Sequence, residues 1–132
     1  MSEENVELVR RGAEALRSRD RTTWLAVIDA DFEVVPLPDW PESGVRGAEA
    51  TWDYYLEIFD AFESFPIDDA EVLDAGGDKV LLHYRLELSG AGSGAKVEFD
   101  TWGVFTIREG KVLRAEWFRD RADALEAAGL SE

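Results

Sequence analysis

His83 is the chain's one histidine, and no cysteine accompanies it. Imidazole is the side chain whose charge changes nearest neutral pH, which makes His83 a first candidate for a general acid or base. Without a second histidine or any thiolate the common zinc sets cannot be completed, so no metal site is expected, and no cofactor either. Carboxylates abound. Asp39 stands out among them because it lies in "FEVVPLPDWPESGVRG", where a strand-like run breaks into prolines, acids and Trp40. Tyr84 interrupts a row of leucines with a phenol, and a buried hydroxyl usually finds a partner. Arg119 is the fourth candidate. Pointing inward, it would need a carboxylate, from Asp39 or Glu42, or an anionic ligand. At a rim it would pair with Asp120, Asp123 or Glu126.

Elements legible in the periodicity have to position these groups. Residues 3–18 place Val6, Val9, Ala13 and Leu16 at helical spacing, with acids in the first turn to complement the macrodipole. A short helix over about 20–29, capped by Asp20, carries Trp24, Leu25, Val27 and Ile28. Residues 32–37 read as a strand that Pro36 and Pro38 end or confine to an edge. The spacing predicts a helix over 48–63, with Trp52, Tyr55, Leu56, Phe59 and Phe62 on one aromatic face.

From Phe65 onward the period becomes two. A strand over 67–73 closes in "DAGGD". Residues 80–88 then set Leu82, Tyr84 and Leu86 on one face and His83, Arg85 and Glu87 on the other. On the next strand Phe99, Thr101, Gly103 and Phe105 share a face. The turn "REGK" leads into 112–119, where the inward set by register is Leu113, Ala115, Trp117 and Arg119. A last helix in "DRADALEAAGL" stops at Gly129. The class is α+β, with helices on one face of a curved antiparallel or mixed sheet.

The chain has 132 residues, 45% of them hydrophobic, which suits a single domain over 1–132 with one sizeable core. Five Trp, three Tyr and seven Phe are more rings than a minimal core requires. No apolar run is long enough for a membrane helix, and the acidic, amphipathic start is unlike a leader peptide. A cytoplasmic location is the default expectation. The net charge of −15 repels nucleic acid and anionic membranes, so neither is an expected partner.

The element order, with "ENVELVRRGAEALRSRD", "VRGAEATWDYYLEIFDAFESF" and "GVFTIREGKVLRAEWFRDRADALEAAGL", resembles the SnoaL-like branch of the nuclear transport factor 2-like fold. The resemblance implies a cone-shaped sheet wrapped by three helices from the first half of the chain plus a short last one. These would enclose an apolar pocket, and homodimers would form through the convex sheet face. The expected partner is a small apolar molecule. The pocket would draw on Trp40 at its mouth, Trp52, Tyr55 and Phe59 on the long helix, and Tyr84, Phe99, Thr101, Phe105, Trp117 and Arg119 on the strands.

Two activities within that superfamily can be tested against the residues. Ketosteroid isomerase uses an Asp base and an oxyanion hole of Tyr plus a neutral Asp; by register these fall near Pro36, Gly12 and Gly103, and all three are missing. An epoxide hydrolase of the limonene type needs an Asp–Arg–Asp set to work on water and epoxide together. The acid of the last strand is replaced by Trp117, and Arg85 would serve only in a register shifted by one residue. Three readings follow: a cyclase, isomerase or hydrolase of secondary metabolism; a protein that binds a small apolar ligand without transforming it; or a dimeric interaction module with a vestigial pocket.

Overall fold

Helix α1 (Ser2–Ser18) opens with Glu3 and Glu4 and closes near Arg17, charges that suit the two ends of its dipole. The structure, a computed structural model, describes residues 2–37, 44–61, 71–89 and 96–130. The buried stripe of α1 runs through Val9, Gly12 and Ala15, a slight rotation from the predicted face, with Val6, Leu8 and Leu16 at its margins. Asp20 then caps α2 (Arg21–Val27), its carboxylate accepting from the Thr23 amide at 3.2 Å and the Thr23 hydroxyl at 2.7 Å. Because the backbone is already extended at Ile28, α2 ends sooner than predicted and β1 (Ile28–Val35) begins earlier. It stops before Pro36, as a residue without an N–H requires of a paired strand.

After β2 (Val45–Arg46) comes α3 (Ala48–Ala61), followed by β3 (Glu71–Asp74), β4 (Lys79–Ser89), β5 (Lys96–Arg108), β6 (Lys111–Phe118) and α4 (Arg121–Ala127). The predicted continuation of α3 to residue 63 and the start of the strand at 67–70 lie outside the described residues. The six strands form one mixed sheet in the order β2-β1-β6-β5-β4-β3, in which only β1 and β6 pair in parallel. Between β5 and β6 the chain reverses at Glu109 and Gly110, with φ of 52° and 76°. Two successive positive φ values give a turn whose twist matches that of the strands it joins.

Helices α1 to α3 cover one face of the sheet. Beneath them Trp24, Phe32, Val34, Trp52, Val80, Ile107, Val112 and Ala115 form the main core. Trp24 is its hub, 1% exposed, meeting Phe32 edge-on at 5.8 Å and Trp52 at 5.4 Å. Two expectations need correction. Leu113 does not belong to the inward series: Thr106 pairs with Arg114 while Ile107 pairs with Val112, so a bulge leaves Leu113 unopposed and brings Val112 inward. Nor are all the helices on one face. Leu81 and Val104 lie on the parity expected to be polar, and α4 covers them with Ala124, Leu125 and Ala128.

Candidate functional site

The inner wall takes shape where β4, β5 and β6 lie side by side. Register pairs Leu82 with Gly103 and Tyr84 with Thr101 across β4 and β5, and Gly103 with Trp117 and Phe105 with Ala115 across β5 and β6. Alternation sends these side chains to the face that α3 overlooks. Gly103 decides how they fit. A Cβ at this position would stand 2.8 Å from Cζ3 of Trp117 and 3.1 Å from Cε2 of Phe105. The indole therefore lies across the glycine, in the space a side chain at 103 would need. Gly103 and Trp117 are sterically matched.

Trp117 is fixed on its other sides as well. Its indole N–H donates to the Tyr55 hydroxyl of α3 at 3.2 Å, and Tyr84 and Phe105 meet its ring edge-on at 6.0 and 5.6 Å. Tyr54, off the aromatic face predicted for the helix, is buried and packs edge-on against Tyr55 at 5.8 Å. Burial pushes the phenols of Tyr55 and Tyr84 above the ordinary tyrosine range, so both stay neutral at physiological pH. Beside Tyr84, Thr101 is 3% exposed and its hydroxyl has no hydrogen-bond partner among the described residues. This wall can pack against an apolar body and hydrogen-bond a neutral oxygen. Among the described residues it carries neither carboxylate nor imidazole.

Other expected site residues fall elsewhere. His83 lies on the opposite face, stacked on Trp102 at 3.9 Å with its Nε2 3.2 Å from Asp100. Arg119 is exposed at the bend after β6 rather than continuing the inward series, because the strand ends at Phe118 and alternation ends with it. Trp52 is buried, but in the Trp24 core. Asp39 and Trp40 lie outside the described residues, as do the side chains of Phe59 and Phe99. No group of three His, Cys, Asp or Glu side chains among the described residues could hold a metal ion, and no described helix is long and apolar enough to cross a membrane.

Next to the aromatic wall, a cleft of about 480 Å3 opens between α1, the start of α2 and strands β3 and β4. Val72 and Leu82 form its apolar floor, and both pack into the Tyr84–Phe105–Trp117 cluster. No local pattern announces it, since it needs the packing of α1 over the sheet.

The architecture is that of the nuclear transport factor 2-like proteins. A protein of that class from Burkholderia xenovorans is similar over 97% of this chain and 98% of its own, with a TM-score of 0.79 and 24% identity. TerC, crystallised with polyporic acid, is similar over 96% and 98% of the two chains at a TM-score of 0.68 and 19% identity. An LEH-like epoxide hydrolase of M. tuberculosis matches over 96% and 90% at 0.66 and 21% identity. No curated protein matches significantly. Residues 9–115 match the SnoaL-like domain, and the chain belongs to the SnoaL-like family.

Proposed function

We propose that this SnoaL-like protein holds a small, largely apolar molecule against the inner wall of β4, β5 and β6. A neutral oxygen of that molecule would be met by the Thr101 hydroxyl. The observation that carries this reading is the Thr101 hydroxyl itself: buried, partnerless among the described residues and flanked by Tyr84. A buried donor left unmade costs about 1–3 kcal/mol, which a ligand oxygen would offset. Ring faces and a raised phenol favour binding over proton transfer, since an efficient acid–base group needs a pKa near the working pH.

The test pairs 2-acetonaphthone with 2-ethylnaphthalene, two probes of one shape that differ in a carbonyl. The ketone is expected to raise the melting temperature more than the hydrocarbon does. Thr101→Val is expected to raise the melting temperature of the free protein and to abolish the ketone's advantage. Absence of any shift with either probe, or an advantage that survives Thr101→Val, would sink the reading.

A second reading concerns assembly, in which two copies pair through the outer sheet face beside α4. Leu73 there is 48% exposed, an unusual degree for a leucine on a sheet, and the half-buried Trp102 lies near it on the same face.

A further inference from the structure

The cleft between α1 and the sheet carries a charge pattern that a purely apolar ligand would leave unused. Arg10 and Arg11 line it from α1; both are exposed, and neither forms a hydrogen bond or ion pair among the described residues. Two of the three acids on the same rim are already engaged. Glu14 is gripped by the Arg17 guanidinium through both its oxygens, a contact that holds its carboxyl below the usual range. Asp20 is turned onto Thr23 as the α2 cap. Glu7 is three and four positions from the two arginines, a spacing that permits pairing on a helix, yet it bonds to neither. The charges lining the cleft balance, three arginines against three carboxylates. In a chain of net charge −15 this opening therefore lacks the acidic excess of the rest, and it holds two guanidinium groups free to meet an anion.

The floor below them makes the pattern specific. Leu82 lines the cleft and also packs with Tyr84, Phe105 and Trp117, so the floor of the cleft is backed by the aromatic cluster. A guanidinium fork suits a carboxylate in two parallel hydrogen bonds and is more weakly hydrated than an ammonium. We propose that the ligand is an amphipathic anion, an apolar carboxylate whose body lies on Leu82 and whose charge is met by Arg10 and Arg11. The proposal rests on the binding reading above and adds the ligand's charge to it.

The test compares 1-naphthoate with methyl 1-naphthoate by calorimetric titration of the full chain. The carboxylate is expected to bind about fivefold more tightly at low salt, the scale of two solvent-exposed ion contacts. Added salt is expected to erode that advantage, because exposed charges are screened. In the double variant Arg10→Gln/Arg11→Gln the carboxylate falls to the level of the ester, while the ester's Kd stays as in the wild type and so reports an intact wall. An ester that binds wild type as tightly as the carboxylate, or a carboxylate preference that survives in the double variant, overturns the proposal and leaves the apolar pocket standing. Binding of neither probe overturns both.

Discussion

Gly103→Ala adds one methyl group to the inner wall, and the structure gives both the sign and the scale of its effect. The new Cβ would stand 2.8 Å from Trp117 Cζ3 and 3.1 Å from its Cε3, whereas carbon atoms rest about 3.5–4.0 Å apart. The indole has little room to retreat, being tied to Tyr55 and bracketed by Tyr84 and Phe105. Overpacking of this kind costs about 1–3 kcal/mol. At roughly 3–5 °C per kcal/mol for a chain of this size, the melting temperature should fall by about 3–15 °C. In a strand free of such a contact, the same change usually stabilises by about 0.5–1 kcal/mol, because glycine loses more backbone freedom on folding. Truncating the ring should therefore reverse the sign. Urea denaturation of the wild type, Gly103→Ala, Trp117→Leu and the double variant closes a cycle in which a coupling of at least about 1 kcal/mol is expected. If alanine proves neutral in the wild-type background, or the two changes add within about 0.5 kcal/mol, the complementarity between Gly103 and Trp117 is refuted.

Asp20→Ala should expose a pH-dependent cap. The bond from the Thr23 hydroxyl, and then that from the Thr23 amide, hold the Asp20 carboxyl below the ordinary value of 3.8. A folded value below the unfolded one makes the contribution complete above the unfolded pKa and lost as pH falls through the folded one. Urea midpoints of wild type and variant should thus differ at neutral pH and converge in acid, and a difference that persists at the lowest workable pH would contradict this. If two copies pair through the outer face, Leu73→Glu should convert a dimer to a monomer in light scattering. An unchanged mass would place any assembly elsewhere.

The strand pattern was readable because the solvent and core faces differ in polarity: Leu82 and Tyr84 against His83 and Arg85 fixed the faces of β4, and the "REGK" turn fixed the hairpin. Features that depend on contact between distant segments were not. The apolar pair Leu81 and Val104 breaks the alternation and needs α4 above it, but nothing local says which helix will provide the cover. The bulge at Leu113 is equally silent, since Val112 and Leu113 are interchangeable in hydrophobicity and only the pairing decides between them. Losses from the isomerase pattern were visible residue by residue at 12, 36 and 103. The contact of Gly103 with Trp117 required the cross-strand register. The buried Thr101 hydroxyl needed more still, because a lone threonine on an apolar face looks the same with or without a partner.

The parallel pairing of β1 with β6 has a consequence for how the chain is made. Strands β3 to β6 are sequential neighbours joined by reversals, so they can zip together with modest loop entropy. β1 must wait: its partners in β6 lie some eighty residues onward, Val34 facing Ala115. During synthesis β1 has only the two-residue β2 beside it until β6 has left the ribosome, and only then can the main core around Trp24, Phe32 and Val34 close. The first third of the protein is thus the last to be secured, and a nascent chain halted before β6 should be the form most dependent on chaperones.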